Sequence, residues 1–284
     1  MPRNVNLRST KRHVLLEVMA GDRPVCIVKY PRAQEESFLR NEAETLDWLH
    51  HAGLCTGPVS TPRLIGQGVA FNRIYLIQDF AEGEVPARLE ENEAPAIALV
   101  DWLADVMSKA REEGTLTGTV QRMLDRVLPK YPAVEAVKRP TEAVAGRYRP
   151  VLMHGDLSYQ NLLVRDGAVS LIDWEYARAD GIPMADVLDF LLYDLYRDTK
   201  DYGAAVRGLF SGNRPQHWAL LKRYCRAGGI SDDDIRPLFQ LFVLSKLDLL
   251  VRLSAPRAEQ KAKELLEALS ESPHESLQAQ RDPA

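Results

Sequence analysis

Cysteine is scarce in this sequence. The 284 residues include three, Cys26, Cys55 and Cys225, which are far apart and form no C-x-x-C pair. An odd and widely spaced set provides neither a disulfide framework nor a zinc site, and it is typical of a protein kept in a reducing compartment. We therefore expect each cysteine to pack as a small apolar side chain.

Long hydrophobic runs and an excess of basic charge are also lacking. The most apolar stretch, residues 241–251, contains Lys246 and Asp248, so no membrane-spanning helix is expected. The apolar run after the basic N-terminus is too short for a secretory signal and is interrupted by Glu17. A net charge of −4 without a basic stripe argues against nucleic-acid binding. We predict a cytoplasmic protein that binds neither membrane nor nucleic acid, and the oligomeric state is left open.

Two segments near the middle of the chain carry groups suited to phosphoryl transfer. The loop His154–Asn161 offers the carboxylate of Asp156 and, five residues on, the amide of Asn161. Two apolar runs on either side of the turn Arg165–Gly167 predict a hairpin that brings Asn161 beside Asp173. An amide oxygen and a carboxylate at one point suit Mg²⁺ held alongside substrate phosphates. Asp156 lies off this metal site and can meet a substrate hydroxyl.

These segments resemble the catalytic loop and metal-binding strand of the aminoglycoside phosphotransferase and choline kinase family, which are small-molecule relatives of the protein kinases. Protein kinases have H-R-D-x-x-x-x-N and D-F-G. This chain has Gly155 in place of the arginine and Trp174-Glu175 in place of Phe-Gly, as is common in the small-molecule branch. Residues 181–187 also resemble the family's G-D-P-x-x-D-[LV]. The resemblance implies an α+β, bilobal, protein-kinase-like fold and a transfer of phosphate from ATP, with Mg²⁺, to a hydroxyl.

The resemblance also implies a role for each residue of the two segments. Asp156 would orient the hydroxyl and accept its proton, while Asn161 and Asp173 would hold the metal. His154 would be a buried strut that hydrogen-bonds near the metal strand. Glu175 would touch a second metal or the acceptor.

The family also needs a strand lysine for the ATP phosphates and a helix glutamate that holds it. Lys29 ends an apolar run and Glu42 follows thirteen residues later, in a segment similar to the family's R-E-A-x-x-L helix. Glu44 competes for the pairing role, but residues two apart point to different sides of a helix. The motif register favours Glu42.

Glycine is missing where the family has its phosphate-covering loop. The first glycine is Gly21, so the segment Asn6–Arg12 would have to cover the phosphates. Hydroxyl and backbone N–H groups can bind phosphate, so Ser9 and Thr10 are the candidates. A disordered basic N-terminus is the alternative.

The adenine site is expected after the strand that ends the small lobe. Residues 75–80 run into Ala81-Glu82-Gly83, which resembles the family's hinge. In that family, backbone groups read the adenine edge, and this implies Gln78 and Phe80 as the contacts.

The predicted domains are a β-rich N-lobe of residues 1–80, a mainly helical C-lobe of residues 81–270 and a flexible tail of residues 271–284. Strands are expected at 13–19, 25–30 and 73–78, with a helix at 37–50 and a loop from Pro62 to Gly66. Further helices are expected in the C-lobe, at residues 96–112, 120–128, 184–196, 217–227, 233–254 and 258–269.

The sequence therefore predicts an ATP- and Mg²⁺-dependent small-molecule kinase. Residues 1–80 carry 10 basic and 8 acidic side chains, and the remaining residues carry 26 and 32. This acidic balance, with carboxylates at Glu175, Asp180, Asp189 and Asp194, favours an aminoglycoside or another amine-bearing acceptor. The alternatives are a neutral sugar or other metabolite as acceptor, a non-catalytic nucleotide-binding module and a protein kinase.

Overall fold

The protein is described by a computed structural model that covers residues 4–10, 12–32, 36–86, 88, 93–109, 113–253 and 258–270. Lys11 and the predicted tail 271–284 lie outside these residues. The chain forms two compact units, residues 1–87 with 154–177 and residues 88–153 with 178–284. No helix of the described residues is long and apolar enough to cross a membrane.

The first unit is built on strands and one helix. Its elements are β1 (Asn4–Ser9), β2 (His13–Ala20), β3 (Arg23–Pro31), α1 (Glu36–His51), β4 (Val59–Ser60), β5 (Leu64–Ala70), β6 (Arg73–Asp79), β8 (Leu162–Arg165) and β9 (Ala168–Leu171). The order β1-β2-β3-β6-β5 makes an antiparallel sheet. Helix α1 packs on it because Leu39, Ala43, Leu46 and Leu49 recur at helical spacing and are buried. Leu39 and Ala43 form a core cluster with Leu76 of β6.

The β8–β9 hairpin belongs to this unit and not to the helical one. Strand β4 pairs in parallel with β9, and Glu84 exchanges backbone hydrogen bonds of 3.0 and 2.8 Å with Val164 of β8. These bonds tie residues 154–177 to the N-terminal part of the chain, so the two units do not coincide with a boundary at residue 80.

The second unit is mainly helical. Its elements are α2 (Glu93–Ser108), α3 (Thr117–Val127), α4 (Glu135–Ala145), β7 (Val151–Met153), β10 (Arg178–Gly181), α5 (Ala185–Thr199), α6 (Tyr202–Phe210), α7 (Pro215–Ala227), α8 (Asp232–Leu253) and α9 (Ala258–Ser270). Strands β7 and β10 pair with each other. Helix α8 supplies much of the core through fully buried side chains such as Phe239 and Phe242.

The α+β fold class is confirmed, and so is the approximate position of each predicted helix and strand. The structure differs from the sequence predictions in three places. Residues 6–9 are part of strand β1 and not of a covering loop, and a disordered N-terminus does not describe them either. Leu64 begins strand β5 where a loop was expected. Helices α4 and α6 were not predicted.

Candidate active site

Lys29 lies at the centre of a charged cluster in the first unit. Its Nζ is 2.7 and 2.9 Å from the two carboxylate oxygens of Glu42 and 3.0 Å from Oδ1 of Asp173. Strand β3 carries Lys29, α1 carries Glu42, and Asp173 follows β9. Burial alone would lower the pKa of Lys29, but the two carboxylates outweigh it and raise that pKa, so the ammonium stays charged.

Glu42 is the partner that the motif register predicted. Its side chain is 0% exposed, whereas Glu44 lies on the exposed side of α1. The backbone N–H of Trp174 also donates to the Glu42 carboxylate. A buried charge is stable only with such partners, so this pair fixes Lys29 in one position.

Asp173 lies at the end of the hairpin in a left-handed backbone conformation, with φ 67° and ψ 61°. Aspartate accepts this region more readily than most residues. Its side chain is 38% exposed. Burial raises the pKa of Asp173, but the charge and hydrogen bond of Lys29 outweigh burial and lower it. Asp173 is therefore a charged carboxylate on a partly exposed side chain.

Asn161 and Asp156 are joined within the catalytic loop. Asn161 Nδ2 donates to the backbone oxygen of Asp156 at 2.8 Å and lies 3.4 Å from its Oδ2. The N–H of Ile172 donates to the backbone oxygen of Asn161 at 3.0 Å, so the hairpin brings Asn161 next to the residue before Asp173. Asp156 itself is exposed.

His154 is a buried strut beside the metal strand, as predicted. It is 1% exposed, its Nε2 lies 3.0 Å from the backbone oxygen of Ile172, and its ring lies 4.5 Å from that of Trp174. Burial lowers the pKa of His154 to about 4. The N–H of Asp156 donates to Nδ1 at 3.4 Å, so the neutral ring carries its proton on Nε2.

The backbone conformation at residue 155 favours glycine, which accounts for H-G-D in place of H-R-D in this loop. The φ of Gly155 is +84°, and a Cβ at this position would lie 2.5 Å from the backbone oxygen of Tyr176. Both the backbone conformation and the lack of space exclude any other residue here without a local shift.

Glu175 is buried and already paired, with only 5% of its side chain exposed. Arg12 Nη1 contacts its Oε1, and His13 Nδ1 lies 3.7 Å from its Oε2. Burial, followed by the Asp173 charge, raises the pKa of Glu175 to about 7. Burial, followed by the Lys29 charge, lowers the pKa of His13 to about 4. The sequence did not predict Arg12 or His13 as partners of Glu175.

The two hydroxyls predicted to bind phosphate already have hydrogen-bond partners. Ser9 Oγ accepts from Arg32. Thr10 Oγ1 accepts from the N–H of His13 at 2.9 Å. Phosphate contacts by Ser9 and Thr10 therefore require these bonds to rearrange.

The predicted adenine contacts lie at the end of β6. Gln78 is 3% exposed, and its Oε1 is buried without a hydrogen-bond partner among the residues that the structure describes. The N–H of Phe80 lies 3.3 Å from the backbone oxygen of Val25, to which it donates. These contacts with the base stay a prediction.

The donors suit a magnesium ion that is held mainly by substrate. Within the described ranges, no group of three or more His, Cys, Asp and Glu side chains could hold a metal ion. Asn161 and Asp173 offer an amide oxygen and a charged carboxylate. Mg²⁺ is commonly held by one or two protein groups and completed by water and phosphate oxygens, so the residues fit this ion.

The four carboxylates proposed to attract an amine each have a partner within the protein. Glu175 contacts Arg12. Asp180 accepts from Arg178 at 3.0 Å and from Arg122 at 3.3 Å. The other two pairs are Asp189 with Lys246 and Asp194 with His217. Each of these four carboxylates is therefore less available to a cationic acceptor than its formal charge suggests.

A groove of about 1060 Å³ in the first unit is lined by the end of α1, the start of β5 and the turn between β8 and β9. Phe80 is the one predicted site residue among its described lining residues. Three arginines and four carboxylates line it, and this near balance of charge favours no class of ligand.

Comparison with known proteins gives the family. The chain matches the phosphotransferase enzyme family (APH) over residues 16–224, which is more than half of its length. No curated protein matches the chain by sequence.

Several solved structures share the fold. The GDP complex of wild-type aminoglycoside 2'-phosphotransferase-IIIa is 16% identical with a TM-score of 0.63, over 96% of this chain and 93% of that one. A thermostable mutant of aminoglycoside phosphotransferase APH(4)-Ia, in a ternary complex with ADP and hygromycin B, is 14% identical with a TM-score of 0.66, over 96% and 95%. Amicoumacin kinase hAmiN, in complex with AMP-PNP, Ca²⁺ and Ami, is 12% identical with a TM-score of 0.64, over 98% and 92%. The chain belongs to the APH phosphotransferase enzyme family and is a small-molecule phosphotransferase.

Proposed function

We propose that this enzyme transfers the γ-phosphoryl group of ATP, with Mg²⁺, to a hydroxyl of a small molecule. The observation that carries the proposal is the contact of Lys29 with both Glu42 and Asp173, at 2.7 and 3.0 Å. A fixed lysine beside a charged metal-binding carboxylate is the arrangement that phosphoryl transfer needs at the nucleotide phosphates. A non-catalytic module would have no reason to keep Lys29, Asp156 and Asp173 together.

Asp156 is proposed as the catalytic base. It is exposed, so a substrate can reach it, and Asn161 holds it through the 2.8 Å bond to its backbone. As the acceptor oxygen attacks the γ-phosphorus, its proton passes to the Asp156 carboxylate and ADP leaves. His154 stays neutral and keeps the loop in position, so it carries no proton.

Asn161 and Asp173 are proposed to hold Mg²⁺, and Lys29 is proposed to bind the nucleotide phosphates. A bound magnesium ion would neutralise phosphate charge. Gln78 and Phe80 are proposed to contact the base, and Ser9 and Thr10 the phosphates, once their present hydrogen bonds rearrange. Structural neighbours hold GDP as well as ADP, so the proposal is tested with both ATP and GTP as donors.

We further propose an aminoglycoside or another amine-bearing compound as the acceptor. The support is the family and the neighbouring structures, which include a complex with hygromycin B and the structure of amicoumacin kinase hAmiN. A neutral sugar or other metabolite is the second candidate, because all four carboxylates once expected to attract an amine already have protein partners.

The free thiols of the three cysteines fit a cytoplasmic location, which we propose for this enzyme.

The experiment is a screen of acceptors for phosphorylation by ATP and GTP, followed by Asp156→Asn tested on the best acceptor. The variant should lower kcat by about 10²–10⁴-fold, the usual effect of losing a positioned base, with little change in ATP affinity. Gln160→Ala is the matched control, because Gln160 is an exposed residue of the same loop. Near parental turnover by Asp156→Asn would remove Asp156 from its role.

A further inference from the structure

The β1–β2 turn ends at Arg12 and is fixed by hydrogen bonds. The N–H groups of Arg12 and His13 donate to Thr10 Oγ1 at 3.3 and 2.9 Å. The N–H of Thr10 donates to the backbone oxygen of His13 at 2.9 Å, and that of Arg32 to the backbone oxygen of Arg12 at 2.7 Å. The Thr10 hydroxyl can exchange its partners for a phosphate while the two backbone–backbone bonds remain, so these bonds limit how far the described residues of the turn can close over a ligand, compared with a glycine-rich loop.

The Arg12 side chain reaches from this turn to the loop that follows the metal strand. Its guanidinium contacts the Glu175 carboxylate and lies 4.7 Å from the ring centre of Tyr176 and 5.6 Å from that of Phe38. Charge-assisted hydrogen bonding and the two cation–π contacts act on the same planar group. A lysine could not make the same set of contacts.

The loop that receives Arg12 is the one that positions Asp173. Glu175 follows Asp173 by two residues, within the 3₁₀ turn Trp174–Tyr176. Asn41 of α1 donates to the backbone oxygens of Glu175 and Ala177 at 3.1 and 2.8 Å. The loop is therefore held from α1 through its backbone and from the β1–β2 turn through the Glu175 side chain.

We propose that Arg12 is a positioning residue whose ion pair with Glu175 clamps the β1–β2 turn to the loop carrying Asp173. The clamp takes the place of the closure that a glycine-rich loop provides. It holds the nucleotide phosphates and the Asp173 carboxylate at a fixed relative position. Glu175 then serves Arg12, and not a second metal or the acceptor. This inference rests on the proposed use of MgATP.

The test compares Arg12→Met, Glu175→Gln and the double variant with the parent enzyme. Arg12→Met should raise the KM for MgATP by about tenfold, which corresponds to 1.4 kcal/mol, and should raise the Mg²⁺ concentration needed for half-maximal activity. The KM of the acceptor should hardly change. The double variant should be no worse than the poorer single variant, because both changes break one interaction.

Arg8→Met is the matched control. Arg8 belongs to the same hairpin and pairs with Glu17 at 2.8 Å, but its side chain is 71% exposed. The Arg8→Met substitution removes the same charge but leaves the Arg12–Glu175 pair intact. The KM of this variant for MgATP should equal that of the parent. Arg12→Lys keeps the charge and should restore part of the affinity. Arg12→Lys also serves as the test variant if Arg12→Met does not fold.

Two results would overturn the clamp. One is an unchanged KM for MgATP and an unchanged Mg²⁺ requirement in folded Arg12→Met or Arg12→Lys. The other is a Glu175→Gln defect far larger than that of Arg12→Met, with additive effects in the double variant, as a metal ligand would give. In either case, a parent enzyme that phosphorylates its acceptor with MgATP leaves the proposed function standing, whereas a parent that binds no ATP removes the proposed function itself.

Discussion

Replacing Gly155 by alanine would put a methyl group where the backbone leaves no space for it. The added Cβ would lie 2.5 Å from the backbone oxygen of Tyr176, and φ is +84°. Alanine in the left-handed region costs about 1–2 kcal/mol, and the close contact adds about 1–3 kcal/mol. The less flexible unfolded chain returns about 0.4–1 kcal/mol. We therefore expect Gly155→Ala to lower the free energy of unfolding by about 3 kcal/mol.

The variant Gly167→Ala separates the cost of the backbone conformation from the cost of the close contact with Tyr176. Gly167 has φ +81° but nothing within 4 Å of its added Cβ, so its substitution should lower the free energy of unfolding by about 1 kcal/mol. Urea unfolding of the two variants and the parent, measured together, gives the difference that the Tyr176 contact causes. Gly155→Ala should also lower kcat, because Asp156 is the next residue and must move with the backbone. Equal stability of the two variants, with parental kcat in both, would refute this reasoning.

Three further results are expected. Asp173→Asn should abolish Mg²⁺-dependent activity and the Mg²⁺-dependent part of nucleotide-induced thermal stabilisation; an unchanged thermal shift would mean that the metal lies elsewhere. Glu42→Gln should raise the KM for MgATP and lower the free energy of unfolding by about 3 kcal/mol, because it breaks a buried ion pair, whereas the exposed Glu44→Gln should match the parent in both assays. Added salt should raise the KM of an amine-bearing acceptor more than that of MgATP, since screening acts over about 8–10 Å; comparable kcat/KM for a neutral sugar would contradict the choice of acceptor.

The pairing of Lys29 with Glu42 could be predicted because it depends on local register. Only one of Glu42 and Glu44 can face Lys29, because residues two apart point to different sides of a helix, and the register of the family's R-E-A-x-x-L helix indicated Glu42. The β8–β9 hairpin was also predictable, since a short turn fixes which residues meet, and it places Asn161 opposite Ile172, one residue before Asp173.

Elements whose stability comes from tertiary contacts were missed. Helix α4 contains Pro140, and α6 contains Gly203 and Gly208, which are residues that normally argue against a helix. Burial of Val137 and Val144 in α4, and of Val206 and Leu209 in α6, outweighs these weak propensities. The Arg12–Glu175 pair joins residues 163 positions apart, and no local pattern in the sequence marks such a contact.

The partners of the four carboxylates were missed for a related reason. Each carboxylate after the metal strand was expected to be available to a ligand, but a carboxylate that already accepts a hydrogen bond from a protein side chain attracts a cation far less. Asp189 meets Lys246 of a helix fifty-seven positions away, and Asp194 meets His217. Those partners follow from helix packing and cannot be read from the segment that holds the carboxylates. An amine-bearing acceptor must therefore displace one of these partners or bind to other groups, and the dependence of its KM on salt measures how much unpaired charge it meets.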